Sequence, residues 1–335
     1  MIRMSCICVD AMGGDERPEV VLAGIEAALA ESDDLSVLVV GDEDVVVPFC
    51  AHHERTRALV STEVIAMDEH PTNAVRSKRD SSIVRGLAAV RTGEADGFFS
   101  AGSTGAIFAA ASLGVGRTKG VKRACIATAV PGIMGRSTVF LDMGANADVR
   151  PDMMVQFAHM GRAYARTVLG VGDPTVALLS NGAEETKGSQ AALAEHEALA
   201  AASGDAGWFV GNCEGTDLLA GRFDVIVTDG FSGNIALKSV EGCAKFIVSQ
   251  LREIAASSPR YATGAWLLKP GLKGLVSKLS GDQYGGAMLL GLKAPVLIGH
   301  GATSPEAVKN GVLAAQRACA AKLVERLAAE VQAEP

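Results

Sequence analysis

The stretch "FDVIVTDGFSGNIALK" (Phe223–Lys238) decides how this chain folds. Its short apolar run, rich in valine and isoleucine, meets Thr-Asp-Gly and then Gly-Asn before helical periodicity begins. Such a run, bounded by turn residues, predicts a buried strand that turns directly into a helix, here spanning about 234–251. The same pattern recurs on both sides. "CICVD" (6–10) precedes a helix from about Pro18 to Ala30, and "LSVLVVG" (35–41) is a second strand. A helix over 81–93, closed by Gly93, leads to the strand "ADGFFSAG" (95–102) and the small-residue helix "TGAIFAAASLG". "STVFLDMGAN" (137–146) precedes a helix over 152–170, and "TVALLSNG" (175–182) one over 184–202. "APVLIGHG" (294–301) leads to a last helix running from about Ser304 to the C-terminus. Strand–helix alternation of this kind predicts an α/β protein, three-layer α/β/α with a mostly parallel sheet. Neither a repeat nor a low-complexity linker marks a boundary. The whole span 1–335 reads as a single catalytic unit, long enough for two lobes with a cleft between them.

Composition narrows the function classes. The 335 residues are 48% hydrophobic but only 4% aromatic, with 38 glycines, so the core is aliphatic and the backbone makes many close approaches. A net charge of -7 gives no nucleic-acid footprint. The seven cysteines are scattered and none sits in a zinc-ligand spacing, which predicts free thiols in a reducing cytoplasm. The N-terminal apolar run is too short for a signal peptide, and no run approaches the ~20 residues that span a bilayer.

In open α/β sheets ligands bind outside the carboxyl ends of the strands. The predicted exits are "DAMGGD" (10–15), "SAGSTG" (100–105), "DMGAN" (142–146), "SNGAEETKG" (180–188), "TDGFSGN" (228–234) and "GHGATS" (299–304), each mixing glycine with Asp, Asn, Ser, Thr or His. One such turn is ordinary, but several on one predicted edge suit a small anion held by backbone N–H groups and helix N-termini. Standard motifs are absent. "GVGRTKG" (114–120) has the wrong glycine spacing for a dinucleotide turn, and "GAEETKGS" (182–189) lacks the second glycine before lysine that a phosphate-binding loop needs. "GFSGN" has its second glycine directly after Ser232, so it is not a nucleophile elbow.

Together "VDAMGGDERPE", "RSKRDSS", "SAGSTGAIFA", "LDMGANADVRPDMMVQFAHMG", "LLSNGAEETKG", "GNCEGTD", "DVIVTDGFSGNIALKSVEG", "YGGAMLLGL" and "HGATS" resemble the phosphate acyltransferase family over nearly the whole chain. The resemblance implies transfer of a long-chain acyl group from the thioester of acyl-carrier protein to inorganic phosphate, giving acyl phosphate for phospholipid synthesis. It also implies a homodimer with a fold similar to phosphate acetyltransferase and the isocitrate/isopropylmalate dehydrogenases; no cofactor is expected. Two departures stand out: Ser103 where the family usually has Asn, and Ala302 where a Ser often follows "HG".

Such a reaction needs little proton transfer, because phosphate is already an anionic nucleophile and a thiolate of pKa roughly 8.5 leaves readily. It needs orientation and donors for the oxyanion, worth about 3–4 kcal/mol each. We therefore expect Asp229, Gly233, Asn234 and Lys238 to form one wall of the pocket, with Asn234 as N-cap of its helix and Glu241 pairing Lys245 one turn on. Lys187 and His300 are further candidate catalytic groups, although Lys187 reads equally as a solvated helix lysine and His300 as a loop-bonding residue. The phosphate and substrate contacts expected from the turns are Asp10, Gly13, Gly14, Asp15, Ser100, Gly102, Ser103, Thr104, Asp142, Asn146 and Asn181. Arg79, with Arg76 and Lys78, either attracts anions or is a solvated charge run. Asp142 and Asn146 supply too few oxygens for a metal site, and none is predicted.

Residues 264–286 are amphipathic and basic. Leu268, Leu272, Leu275, Val276 and Leu279 share a face, with Lys269, Lys273 and Lys278 elsewhere, and Trp266 just before. This suits a membrane surface, an acidic partner or a dimer-forming helix pair. An acylated product bound for a membrane glycerol-3-phosphate acyltransferase makes peripheral membrane contact reasonable. Three rival readings stay open: a short-chain transacylase using coenzyme A, an NAD-dependent decarboxylating dehydrogenase, and a non-catalytic acyl-phosphate or lipid-carrier binding protein.

Overall fold

The computed structural model describes residues 4–133, 135–279, 285–301 and 303–332; side chains at 270 and 272–279 are not among those described. Ala302 lies outside the described residues. Among the described residues one 11-stranded sheet organises the chain. Its strands are β1 (Ser5–Asp10), β2 (Leu35–Gly41), β3 (Thr56–Val60), β4 (Gly97–Ser100), β5 (Cys125–Pro131), β6 (Ser137–Leu141), β7 (Val176–Leu179), β8 (Phe209–Cys213), β9 (Val225–Val227), β10 (Ala287–Leu290) and β11 (Val296–Ile298). In space they run β3-β2-β1-β4-β11-β10-β5-β6-β9-β7-β8.

Pairing is parallel within β3-β2-β1-β4-β11 and within β6-β9-β7-β8. Between them β10 is antiparallel to both β11 and β5, and β5 is antiparallel to β6. The two parallel halves therefore run in opposite directions. Their register is nevertheless shared. One transverse row, Ala58–Val39–Val9–Phe99–Leu297–Met288–Ala127–Leu141–Val227–Leu178–Asn212, crosses every strand. Strands of each half reach this row with their carboxyl ends, from opposite sides. The expectation of all exits on one edge is thus corrected: Asp10, Ser100 and Gly299 leave the row one way, Asp142, Thr228 and Ser180 the other.

Alternate residues of β1 feed two cores, Ile7 and Val9 one and Cys8 the other, so both faces of the sheet are covered. On the first face pack α1 (Glu19–Glu31), α2 (Glu43–His52), α6 (Pro151–Val168), α7 (Gln190–Ser203), α10 (Pro305–Ala320) and α11 (Leu323–Gln332). On the second lie α3 (Pro71–Ser77), α4 (Ser82–Thr92), α5 (Thr104–Gly114) and the start of α8 (Gly230–Ala256). The helix α9 (Pro259–Leu279) pairs with α8.

Several expected boundaries shift. The strand at 137–146 stops at Leu141, because the backbone beyond it turns to wrap the Asp142 carboxylate. The helix expected over 184–202 starts at Gln190, where Ser189 Oγ accepts the Ala192 N–H at 3.2 Å. Lys187 is thus a loop residue, not a helical one. The single C-terminal helix is two, broken near Lys322, which adopts a left-handed φ of 53°.

Candidate active site

The stretch at 223–238 forms its helix one turn earlier than expected. Asp229, not Asn234, is the N-cap: its Oδ1 accepts the Ser232 N–H at 2.7 Å, and α8 begins at Gly230. Close packing explains the glycines. Gly230 donates its N–H to Asn146 O at 2.7 Å, and a side chain on Gly233 would overlap the carbonyl oxygen of Asp142. The helix start is pressed against the 142–146 loop, and only glycine permits that approach.

That loop is itself fixed from within. Asp142 is fully buried and accepts N–H groups from Ile126 (2.9 Å), Ala145 (3.1 Å) and Asn146 (2.8 Å), plus the Asn146 side-chain amide at 2.8 Å. Asn146 Nδ2 also donates to Ala124 O at 2.8 Å. Burial pushes the Asp142 carboxyl above its ordinary range while these donors pull it back. Asp142 and Asn146 therefore hold the loop, with both carboxylate oxygens of Asp142 and the Nδ2 of Asn146 engaged in internal hydrogen bonds.

A matching device holds the other half. Asp10, 1% exposed, accepts Ser100 Oγ–H at 2.7 Å and the Met12 N–H at 3.0 Å, and Ser100 Oγ accepts the Gly102 N–H at 3.0 Å. Burial raises the Asp10 carboxyl, opposed by these hydrogen bonds. A Cβ on Gly13 would stand 2.8 Å from Gly102 N, so the two turns are in contact, and Asp15 N–H donates to Gly301 O at 2.8 Å. Asp10, Gly13, Ser100 and Gly102 again face inward as scaffold. Gly14 adopts φ 102°, and the Asp15 carboxylate is exposed. Ser103 is buried at 6% exposure and precedes Thr104, the exposed first residue of α5.

Where the halves meet, over β5 and β10 on the second face, lies a groove of 190 Å³. Thr104 and His300 reach it from the first half, and Asn234 and Lys238 from the second. Ile126, Thr128 and Val130, alternate residues of β5, line it, as do Gly286 and Gly299. All four side chains from the two halves are exposed. Lys238 Nζ lies 2.8 Å from Glu241 Oε2, so Glu241 pairs with Lys238 rather than Lys245, and Glu241 Oε1 is buried without a hydrogen-bond partner. Gly233 sits behind this wall against Asp142.

The expected wall is divided. Asp229 instead lines a second, larger cavity of 890 Å³ at the exits of β6, β7 and β9, together with Asn181, Ser189 and the buried Glu195 of α7. Sequence reading passed over Glu195, which lies within an Ala-rich helix with no turn residue near it. Burial and the Asp229 carboxylate push its pKa up to about 7. Lys187 is exposed and does not line this cavity, although its neighbour Gly188 does.

The charge run separates into two roles. Lys78 Nζ is held by Glu69 Oε1 at 2.6 Å and Val64 O at 2.8 Å, and Asp80 by Thr62 and Arg85. Arg76 and Arg79 are exposed, the latter donating weakly to Arg76 O at 3.4 Å. In α9, Trp266, Leu267, Leu268 and Lys269 are exposed. The Lys273 and Lys278 side chains lie outside the described residues. Among the described residues no group of three His, Cys, Asp or Glu is placed to hold a metal ion.

The fold is shared with known enzymes. A phosphotransacetylase from Streptococcus pyogenes superposes with a TM-score of 0.60 at 18% identity, covering 96% of this chain and 94% of that one. A branched-chain phosphotransacylase from Enterococcus faecalis does so at 0.57 and 14%, covering 94% and 99%. In sequence, the phosphate acyltransferase of Levilactobacillus brevis is 45% identical over 326 residues, 96% of this chain and 94% of its own. That of Geobacillus thermodenitrificans is 40% identical, covering 97% and 98%. A family model described as "Fatty acid synthesis protein" matches residues 5–326. The chain belongs to this family of phosphate acyltransferases and is an acyltransferase enzyme.

Proposed function

We propose that the protein transfers a long-chain acyl group from the thioester of acyl-carrier protein to inorganic phosphate, releasing acyl phosphate for phospholipid synthesis. The observation that carries this is the central groove, where Lys238 and Asn234 of one half face Thr104 and His300 of the other. Phosphate displaces Glu241 from Lys238 and lies between the halves. Its oxygen attacks the thioester carbon, the C–O bond forms, and charge gathers on the former carbonyl oxygen. Side-chain donors of Asn234 and Thr104 stabilise that oxyanion, and its collapse breaks the C–S bond and expels the carrier thiolate. No side chain need become acylated, so rate comes from positioning and charge.

The exposed apolar residues of α8 and α9, among them Phe246, Ile247, Trp266 and Leu268, fit a homodimer contact, a peripheral membrane contact, or both. Membrane contact would pass the product to a glycerol-3-phosphate acyltransferase. Arg76 and Arg79 suit the acidic carrier protein. The halves running in opposite directions also suit the dehydrogenase-like arrangement that the resemblance implies. A second reading, short-chain transfer from coenzyme A, is favoured by the phosphotransacetylase likeness of the fold. Free thiol should appear only when phosphate is supplied, and faster from a long-chain carrier thioester than from acetyl-coenzyme A. Phosphate-independent release would remove the transacylase reading; the reverse preference would support the short-chain one.

A further inference from the structure

Glu241 is out of keeping with the rest of the central groove. Among the described residues that line it, Lys238 supplies the one fixed positive charge and Glu241 the one negative charge. A carboxylate repels any bare anion that Lys238 attracts, so a groove that only collected negative charge would do better without it. The two side chains are also seated unequally. Lys238 is 58% exposed and Glu241 only 20%; Glu241 Oε2 meets Lys238 Nζ at 2.8 Å, while Oε1 is buried without a hydrogen-bond partner. The lysine is the partner free to swing, and the carboxyl stays in the wall. Once the ammonium turns to phosphate, neither oxygen of Glu241 keeps a donor among the described residues. An ionised carboxylate can only accept, and leaving it unpaired is costly.

We propose that Glu241 selects phosphate over other tetrahedral anions by accepting the O–H of its monohydrogen form. The proposal rests on the acyl-transfer reading, in which phosphate lies against Lys238, and adds the basis of its selectivity. Near neutral pH phosphate still carries a proton on one oxygen, whereas sulfate, of the same shape and charge, carries none. A protonated oxygen turned to Glu241 makes a charge-assisted hydrogen bond. A sulfate oxygen there sets lone pairs against lone pairs and leaves the carboxylate unpaired. A site that hydrogen-bonds a substrate hydroxyl rejects the analogue lacking it far more strongly than shape alone can. The same contact orients the nucleophile, because an O–H held by α8 leaves the ionised oxygens for attack. As the C–O bond forms and the C–S bond breaks, the proton stays on its phosphate oxygen. The two negative charges end divided between acyl phosphate and thiolate.

Calorimetric titration of the full chain near neutral pH should show arsenate, which keeps a proton, within about tenfold of phosphate, and sulfate weaker by about a hundredfold or more. Glu241→Gln, whose amide can donate, should narrow the sulfate-to-phosphate ratio by about tenfold or more, and Glu241→Asp should keep sulfate out. Loss of the Lys238 pair alone would move both affinities equally, so the ratio is the reading. In the transacylase assay sulfate should compete with phosphate in Glu241→Gln and not in wild type. The arsenate and sulfate affinities of wild type test the proposal even if the variants do not fold. It is overturned if phosphate does not bind, if wild type binds sulfate as tightly as phosphate, or if Glu241→Gln leaves the ratio unchanged. A protein that discriminates the anions through Glu241 yet releases no thiol with phosphate would fail the transfer reading and leave the selectivity standing. Phosphate-dependent thiol release that sulfate inhibits equally in wild type would do the reverse.

Discussion

Replacing Gly233 by alanine sets two physical effects against each other. In a helix interior Gly→Ala is ordinarily stabilising by about 0.5–1 kcal/mol. At Gly233, however, a Cβ would overlap the Asp142 carbonyl oxygen and stand 2.9 Å from Thr228 Cγ2 and 3.1 Å from the Asp142 carbonyl carbon. Carbon atoms prefer about 3.5–4.0 Å, so helix and loop must separate by about 1 Å. Neither side yields easily, because the loop is tied by the four N–H donors on Asp142. Overpacking of this kind costs about 1–3 kcal/mol, which outweighs the propensity gain and gives a net loss of about 1–2 kcal/mol. Gly242 in the same helix has nothing within 4 Å of such a Cβ and serves as control. Urea unfolding should show Gly233→Ala destabilised and Gly242→Ala stabilised. Because Asn234 and Lys238 move with the helix, turnover in the first variant should fall by about a hundredfold. A Gly233→Ala protein as stable as its control would refute the packing explanation for this turn.

Further outcomes follow from the same geometry. Lys238→Ala should lower turnover at least tenfold with an unchanged melting temperature, since Lys238 is exposed; near-normal kinetics would remove it from the site. Glu195 is raised from 4.5 to about 7, so the folded protein keeps a proton that the unfolded chain has released. Its contribution therefore weakens as pH rises from 4.5 to 7 and stays low above that. Glu195→Gln should accordingly be more stable than wild type at pH 8, by about 1–3 kcal/mol, and little different at pH 4, as chemical denaturation can show. Trp266→Asp combined with Leu268→Asp should reduce co-sedimentation with anionic vesicles several-fold; equal partitioning would reject membrane contact by α9.

The alternation of strands and helices was legible because buried parallel strands are continuous apolar runs, and most of the exits could be located from them. The reversal between halves was not. It is made by β5 and β10, whose sequences "CIATAVP" and "AMLL" carry no marker of antiparallel partners, and pairing direction is a property of contacts remote in the chain. Turn chemistry told where polar residues cluster, yet could not tell a donor facing a ligand from one facing its own backbone. Asp142 and Asp10 look alike at strand ends to Asp229, but the first two are consumed internally while the third caps a helix beside a cavity. Asn234 has the sequence signature of a cap because Asp229 and Gly230 carry that of a turn, whereas in the structure Asp229 caps the helix. Glu195 was invisible because its meaning comes from burial among residues of other elements.

The place of β11 has a consequence for biosynthesis. This strand, from residues 296–298, sits between β4 and β10 and joins the N-terminal half to the rest of the sheet, while α10 behind it shares the core with α1. A nascent chain that has emerged only as far as β9 lacks that junction and the His300 side of the groove. Chains interrupted before β11 therefore have no assembled centre, and the activity waits on the synthesis of β11 and the turn that carries His300.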